Sequence, residues 1–518
     1  MFARVATVAF QGIESVGVDV QVQIGPGAVQ FTLVGLADKA VTESRERVRA
    51  ALVASGLALP AKRVTVNLAP ADLPKEGSHY DLPIALGLMA AMGVIPADVL
   101  GQYVIIGELS LNGEINAVNG ALPAAIYTNS IGAGLICPSA SGSEAAWADP
   151  EMDILAPVSL NQLVNHFKGE QVLTRPEAQL SPQPRFIEDL SDVKGQESAK
   201  RALEVAAAGG HNMLMVGPPG AGKSLLASRL PGILPKLLPE ELLEVSMIAS
   251  IAGELEEGQL SPYRPFRSPH HSASMAALVG GGIKAKPGEV SLAHHGVLFL
   301  DELPEFQPQV LDSLRQPMES GQAIIARANN RVSYPSQVQI IAAMNPCRCG
   351  YAGEPGHTCK RGTRCAQDYQ ARISGPFLDR IDIHIDVPAV TASDLIRSNI
   401  SETSKTVSNR VQKARLIQLE RYKSNRNCTT NAQCPAKDIT EICALEDKAQ
   451  KLFLNAAEQM HLSARSYHRI LKVARTLADL DCQELIANNH IAEAINYRSS
   501  KQAVGVDVNS HSHHEVQL

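Results

Sequence analysis

The sequence has few aromatic side chains and no excess of positive charge. Its 518 residues include only ten Phe, ten Tyr and one Trp, and 47 Lys+Arg stand against 53 Asp+Glu, a formal net charge of −6. Platforms that stack nucleic-acid bases need aromatic rings, and nucleic-acid-binding domains usually carry a basic surface. The overall composition therefore argues against a base-stacking, strongly basic binder. A hydrophobic content of 45% also excludes a disordered chain.

Signals for secretion and membrane insertion are missing as well. The first 24 residues contain charged side chains and no continuous apolar run, unlike a signal peptide. The longest apolar stretch, Leu82–Ile95, contains a proline and is shorter than a bilayer-spanning helix. Nine cysteines without a secretory signal favour reduced thiols or metal ligands over disulfides. We expect a cytoplasmic protein without a membrane partner.

Changes in hydrophobic periodicity divide the chain into five segments. The first mixes strand and helix patterns, and three prolines mark the second as a linker. The third begins with a helix predicted over 194–208, for which Ser191 and Asp192 are the expected capping residues. The fourth is helical and more polar, and the last is predicted to be a disordered tail. The class is α/β, and the segments are 1–168, 169–187, 188–392, 393–505 and 506–518.

A glycine-rich segment after a short predicted strand fits the phosphate-binding pattern G-x-x-x-x-G-K-[ST] in full. Glycines let backbone N–H groups wrap around phosphates, and the helix that follows points its positive end at the anion. Lys223 is predicted to contact the β- and γ-phosphates of ATP, and the Ser224 hydroxyl to bind Mg²⁺. The segment consists of Gly217, Pro218, Pro219, Gly220, Ala221, Gly222, Lys223 and Ser224.

Two further predicted strands end on polar residues that suit ATP hydrolysis. The apolar strand Val297–Leu300 is followed by Asp301 and Glu302. We assign Asp301 to Mg²⁺ and Glu302 to the attacking water, although such a pair alone also fits an ordinary strand end. A third strand leads to Asn345, which is expected to contact the γ-phosphate or orient the water. An Asn before Pro also fits a simple turn.

Several segments along the chain resemble the ComM/YifB family of magnesium-chelatase-like AAA+ ATPases. They are Gly35–Asp38, Glu43–Arg49, Val66–Asp72, Arg267–His271, Gly296–Leu303 and Gly375–Asp382. The resemblance implies an N-terminal Lon-protease-like (ribosomal S5 domain 2-like) α+β domain. It also implies a central AAA+ P-loop NTPase domain with three αβα layers and a C-terminal helical lid.

The resemblance further implies a ring that moves DNA. Arg380 corresponds to an arginine finger that reaches the nucleotide of the neighbouring subunit, and Arg465 to the sensor-2 arginine of the lid. Without the family, either could be a surface charge. The implied function is a hexameric helicase that promotes branch migration in homologous recombination and natural transformation. Its implied partners are single-stranded and branched DNA and recombination proteins. The alternative is a chelatase-type ATPase that remodels a partner enzyme.

A basic region lies within the acidic chain. Residues 321–426 hold 16 Lys+Arg against 8 Asp+Glu. In the family, the interval between the carboxylate strand and the asparagine strand is a hairpin facing the pore, which places Arg327 and Arg331 at its tip. An ordinary surface hairpin is the alternative. Lys284 and Lys286 fall in a second expected pore element. Contacts to phosphates rather than bases predict sequence-indifferent, salt-dependent binding.

Four cysteines within a short interval form a candidate zinc site. They are Cys347, Cys349, Cys359 and Cys365. Four thiolates complete a closed tetrahedral zinc site, although the C-x-C spacing is less typical than C-x-x-C and His357 competes as a ligand. Unligated cysteines in a loop are the alternative.

The N-terminal domain lacks the residues of a Lon-type protease. Such a protease needs a serine nucleophile activated by a lysine. In the resembling segments, His79 stands at the nucleophile position, with Ser78 one residue early, and Leu122 stands at the lysine position. We expect a scaffold without peptidase chemistry, and a Lon-like protease is the least favoured function.

Overall fold

The structure is a computed structural model that describes residues 1–182, 188–282, 285–326, 331–352, 363–390, 402–425 and 428–498. The predicted boundary near 392 and the predicted tail 506–518 lie outside these residues. Within them, a mixed N-terminal sheet, a central parallel sheet and a group of C-terminal helices follow one another along the chain. The α/β class is therefore confirmed, and the parallel sheet with its helices fits an AAA+ type fold.

The N-terminal part is a seven-stranded mixed sheet in the order β3-β4-β2-β1-β5-β8-β9. Its strands, including the hairpin β6–β7 outside this sheet, are β1 (Phe2–Gln11), β2 (Glu14–Gly25), β3 (Gln30–Val34), β4 (Arg63–Ala69), β5 (Tyr103–Ile105), β6 (Glu108–Leu109), β7 (Ile115–Asn116), β8 (Gly134–Ile136) and β9 (Ile154–Leu155). Its helices are α1 (Lys39–Ala54), α2 (Asp81–Ala91), α3 (Ala97–Leu100), α4 (Ala121–Ser130), α5 (Gly142–Ala145) and α6 (Leu160–Phe167).

Hydrophobic periodicity explains the main N-terminal elements. Val18, Val20 and Val22 alternate with polar residues in β2 and are buried on one face. In contrast, α2 is buried on nearly all sides, so the long apolar stretch noted in the sequence is a core helix. Its buried Asp81 accepts hydrogen bonds from the Arg47 guanidinium at 2.6 and 3.0 Å. This ion pair offsets only part of the cost of burial, since burial raises the pKa of Asp81 despite the Arg47 guanidinium.

The central part is built on a five-stranded sheet in the order β11-β14-β17-β10-β18. Its strands, including two hairpins outside this sheet, are β10 (Met213–Val216), β11 (Phe266–Arg267), β12 (Gly280–Gly281), β13 (Lys286–Pro287), β14 (Val297–Leu300), β15 (Gln322–Ala326), β16 (Arg331–Pro335), β17 (Gln339–Met344) and β18 (Ile383–Asp386). Its helices are α7 (Glu197–Gly209), α8 (Lys223–Ile233), α9 (Pro239–Ala252), α10 (Met275–Leu278), α11 (Glu289–Leu292), α12 (Pro308–Ser313), α13 (Arg315–Ser320), α14 (Thr363–Gln370) and α15 (Gly375–Leu378).

All neighbouring strands of the central sheet run parallel. Strands β10, β14 and β17 are buried along their whole length, as expected for a parallel sheet covered on both faces. Because the strands share one direction, the residues that follow β10, β14 and β17 meet at the same edge. The residues that precede β18 lie at the opposite edge.

The predicted start of the first central helix is wrong by three residues. Gly195 and Gln196 adopt left-handed backbone conformations, with φ of +63° and +59°, so the helix begins only at Glu197. Ser191 and Asp192 belong instead to a short 3₁₀ turn, which Asp189 caps. The prediction that Ser191 and Asp192 cap the helix is therefore wrong, because Asp192 accepts the Asp189 N–H within that turn and Gln196 stands at the start of the helix.

The C-terminal helices pack against the central part and share its core. They are α16 (Ser404–Arg421), α17 (Ile439–Ile442), α18 (Asp447–Gln459), α19 (Ala464–Leu480) and α20 (Asn488–Asn496). Val411 of α16 and Leu477 of α19 are fully buried in one cluster with Ala206 of α7 and Met213 of β10. No helix among the described residues has the length and apolarity needed to cross a membrane.

Candidate nucleotide-binding site

The phosphate-binding segment forms a tight turn between β10 and α8. Gly220 and Gly222 have φ of +77° and +87°, which disfavour any residue with a Cβ. A Cβ on Gly217 would lie only 2.1 Å from the Val387 carbonyl oxygen. The loop is also anchored to the neighbouring strand, because the Gly217 N–H donates to the Met344 carbonyl at 3.2 Å. These glycines are required by backbone geometry and close approach.

Lys223, the first residue of α8, is buried within this turn. Its ammonium donates to the carbonyls of Gly217 and Pro218 at 2.7 and 2.9 Å and to Oδ1 of Asn345 at 3.1 Å. Burial lowers the pKa of Lys223, while the charges of Asp301 and Glu302 act in the opposite direction. The ammonium is therefore held between the loop, the asparagine and two carboxylates.

The two predicted magnesium ligands contact each other. Ser224 Oγ donates to Asp301 Oδ2 at 2.6 Å, so a hydroxyl and a carboxylate meet beside Lys223. Oxygen ligands of this kind suit Mg²⁺, which usually keeps several waters and uses few protein ligands. The donor set therefore fits Mg²⁺.

Glu302 is half exposed at the mouth of this site. Its backbone is left-handed, with φ of +51°, which is uncommon for a residue with a side chain. The carboxylate lies 3.2 Å from Nδ1 of His271. Sequence reasoning did not assign His271 to the site, and the only signal was its place in a segment that resembled the family.

Arg380 and Arg465 lie together at the opposite edge of the central sheet. Arg380 is nearly buried, where it pairs with Glu319 and donates to the Pro376 carbonyl. The exposed Arg465 approaches Asp379 at 3.9 Å, and both arginines line one cleft of about 780 Å³. The length of β10, about 10 Å of strand, separates that edge from Lys223. The lining of this cleft includes no residue of the phosphate-binding turn.

The predicted pore hairpin forms β15 and β16. Ala326 pairs with Arg331 at the end of the described part of this hairpin, and Arg331 is exposed. Exposed Lys286 lies on the adjacent β13, and the Tyr334 hydroxyl donates to the Ala285 carbonyl at 3.0 Å. Two of the predicted DNA-binding residues therefore lie on neighbouring hairpins. Arg327 and Lys284 are outside the described residues.

The N-terminal part packs on the central part in two places that the sequence did not predict. Ile13, in the turn between β1 and β2, contacts the apolar cluster of the hairpins. The Gly120 N–H donates to the Ser250 carbonyl at 3.1 Å, and Leu122 is fully buried beside Leu242 of α9. Leu122, which was predicted at the lysine position of a Lon-type protease, thus forms an apolar contact between the N-terminal and central parts.

The position of the Lon nucleophile is also unsuited to catalysis. His79 is buried, and its Nε2 lies 2.9 Å from the Val8 carbonyl oxygen. Burial lowers the pKa of His79 to about 4. Ser78 donates its hydroxyl to Glu108 rather than to a lysine. These contacts agree with the expectation of a scaffold without peptidase chemistry.

The structure brings three of the four predicted zinc ligands together. The Sγ atoms of Cys347, Cys349 and Cys365 lie within 4.8 Å of one another. Cys347 and Cys365 are buried, whereas Cys349 is exposed. Cys359 lies outside the described residues.

Comparison with known proteins places the chain in a family. Residues 189–395 match the family model for magnesium chelatase, subunit ChlI, and residues 20–141 and 401–498 match two further ChlI models. The chain is 43% identical to competence protein ComM of Haemophilus influenzae over 498 residues, covering 95% of this chain and 96% of that protein. It is 42% identical to the uncharacterized protein YifB of Escherichia coli over 500 residues, covering 96% of each chain. Lon protease 2 of Bacillus subtilis matches at 28% over 222 residues, covering 41% of this chain and 40% of that protein. With such similarity along almost its whole length, the chain belongs to the ComM/YifB family of magnesium-chelatase-like AAA+ proteins.

Proposed function

We propose that this protein is an ATP-hydrolysing, hexameric DNA motor that promotes branch migration in recombination. The observation that carries the proposal is the convergence of Lys223, Ser224–Asp301, Glu302 and Asn345 at one edge of the central sheet. These are the groups that phosphoryl transfer needs for positioning and charge stabilisation. Under this proposal the resident ligands are ATP and Mg²⁺, with Zn²⁺ on the cysteine cluster, and the motor acts in the cytoplasm.

Each residue of the site has a defined part in hydrolysis. Lys223 would bind the β- and γ-phosphates, where Asn345 already contacts its ammonium at 3.1 Å. Ser224 and Asp301 would hold Mg²⁺, which neutralises charge on the transferring phosphoryl group. Glu302, which is half exposed and lies beside His271, would orient the attacking water and accept its proton. The glycines of the loop supply backbone N–H donors to the phosphates.

The placement of Arg380 supports a ring. An arginine held at the edge opposite to its own phosphate loop is useful for hydrolysis only when a second subunit presents its nucleotide there. Arg465 lines the same cleft and would act on the same neighbouring nucleotide. Closed cyclic assemblies repeat one such interface around the ring.

The hairpins β15–β16 and β12–β13 support DNA as the moved substrate. Exposed Arg331 and Lys286 lie on adjacent hairpins, and Arg331 belongs to the basic region 321–426. Such charges suit phosphate contacts along a strand. One relative is named a competence protein, which agrees with a role in taking up and recombining DNA.

Replacing Arg331 by Ala is expected to weaken binding of single-stranded DNA without changing basal ATP hydrolysis. Loss of one phosphate contact should also reduce the slope of log affinity against log salt concentration by about 0.7. Fluorescence anisotropy with a labelled oligonucleotide over a salt series measures both effects. Arg45→Ala, which removes an exposed arginine from α1, is the matched control. Identical salt slopes for Arg331→Ala and wild type would remove Arg331 from the DNA path.

A branch-migration assay on a three-stranded junction tests the whole proposal. Purified protein with ATP should move the junction, and single-stranded DNA should stimulate ATP hydrolysis. The ChlI family models favour one competing function, an ATPase that remodels a chelatase partner. Stimulation only by a chelatase subunit, with no response to DNA, would support that alternative.

A further inference from the structure

The cysteine cluster lies directly against the nucleotide-binding site. Cys347 follows Asn345 by two residues, and Asn345 accepts the hydrogen bond from Lys223. Gly350, one residue after Cys349, packs on Pro219 of the phosphate-binding loop. The segment that carries Cys347 and Cys349 thus contacts the nucleotide site both before and after these two cysteines, through Asn345 and Gly350.

We propose that Cys347, Cys349 and Cys365 hold a zinc ion that fixes this segment against the phosphate-binding loop, so that metal binding strengthens nucleotide binding. The inference rests on the proposed ATP site. Zinc would act as a structural brace and would not touch the nucleotide.

The sulfur geometry fits zinc. A tetrahedral site with Zn–S bonds of about 2.3 Å places two sulfurs roughly 3.8 Å apart. The three Sγ atoms already lie within 4.8 Å of one another, and the Cys347–Cys349 pair, at 2.9 Å, needs to open by only about 1 Å to meet this spacing. Cys365 is the third residue of α14, where the amide N–H groups of the first turn favour a negatively charged ligand.

A second cluster, formed by Glu244, His294 and His295, contains residue types that bind metals, but its hydrogen bonds do not suit a metal site. His294 Nδ1 accepts from the Gln337 N–H at 3.0 Å, so the ring proton lies on Nε2 and is donated to Glu244. A metal on Nε2 would require a proton on Nδ1, facing that N–H donor. We therefore assign the metal to the cysteines and not to this cluster.

The coupling follows from two contacts of the cysteine-bearing segment, one with the phosphate-binding loop and one with α14. Gly350 has a φ of +90°, and a Cβ there would lie 2.7 Å from Cδ and Cγ of Pro219. The Gln370 amide, at the far end of α14, donates to the Pro346 carbonyl at 3.2 Å. A metal that joins Cys365 to Cys347 would lock α14, the Asn345 segment and the loop into one unit.

Metal analysis and nucleotide binding test the proposal together. Full-length protein purified under reducing conditions should contain about one zinc per chain, and Cys365→Ala should lose it. The affinity of Cys365→Ala for a fluorescent ADP analogue should be about five-fold lower than that of wild type. Added nucleotide should raise the affinity of wild type for Zn²⁺ by the same factor. Cys137→Ala, at a buried cysteine of the N-terminal domain, is the control that should retain both properties.

Gly350→Ala tests the contact with the phosphate-binding loop separately from metal binding. This variant should retain zinc yet bind the ADP analogue more weakly, since the added methyl group pushes Pro219 away. Absence of zinc from reduced wild-type protein, or its retention in Cys365→Ala, overturns the metal site. Equal nucleotide affinity with and without zinc overturns the coupling while leaving the ATP site intact. Failure of zinc-loaded wild type to bind nucleotide at all overturns the proposed function together with this inference.

Discussion

Glu302→Gln is expected to lower the rate of ATP hydrolysis at least about 100-fold while ATP binding stays close to that of wild type, because a positioned general base contributes about 10²–10⁴ to a rate. Gln keeps the size of the side chain and its place near His271, but it cannot accept the proton of the attacking water. Steady-state phosphate release and binding of a fluorescent ATP analogue measure the two properties separately.

Glu305→Gln is the matched control for this prediction. Glu305 lies one turn further along the chain and pairs with Arg372 at 3.1 Å, away from Lys223. Its replacement should leave turnover nearly unchanged. If Glu302→Gln also hydrolyses ATP at the rate of wild type, Glu302 is not the residue that activates water.

Arg380→Ala should lower ATP hydrolysis roughly 10³-fold, since an arginine finger contributes about 10³–10⁵ to phosphoryl transfer. A stronger test mixes two inactive variants and asks whether activity returns. Lys223→Ala subunits keep the finger but lack the phosphate-binding ammonium, and Arg380→Ala subunits have the reverse defect. Mixed rings should regain activity, because about one quarter of the interfaces in a random equal mixture pair an intact loop with an intact finger.

The outcome of mixing distinguishes action between subunits from a role within one chain. No regain of activity in mixed rings would place the effect of Arg380 inside its own subunit, through its pairing with Glu319. Arg372→Ala, which removes a more exposed arginine from the same region, is the control and should need no complementation. Size measurements with and without ATP should accompany the assay, so that loss of the ring is not mistaken for loss of the finger.

Elements that are determined by residues adjacent in the chain were predicted well from the sequence. The phosphate-binding loop is encoded by glycines with left-handed backbones followed directly by Lys223 and Ser224. The alternating valines of β2 and the wholly apolar residues of β14 also predict a strand from adjacent residues alone. The start of α7 was missed because Gly195 and Gln196 turn left-handed, and the sequence pattern does not force Gln196 to do so.

Relations between distant residues could not be obtained in this way. The cysteine spacing indicated a metal, but the contact of Gly350 with Pro219 joins two loops that are more than 100 residues apart. His271 was named only as part of a resembling segment, and its 3.2 Å approach to Glu302 depends on the packing of separate elements. Neither contact leaves a periodic or spacing signal in the chain.

The sequence by itself determined the chemistry of this protein: a phosphate-binding loop, a carboxylate pair, a polar asparagine and a cluster of thiols. Tertiary structure alone decided which of these groups meet. The parallel order of β14, β17 and β10 brings the residues of the candidate nucleotide-binding site to one edge, whereas Arg380 precedes β18 and lies at the other. Strand order and direction are set by long-range packing of buried strands, so only the folded chain shows that Arg380 lies at the edge opposite to Lys223 and that the cysteines lie against the phosphate-binding loop.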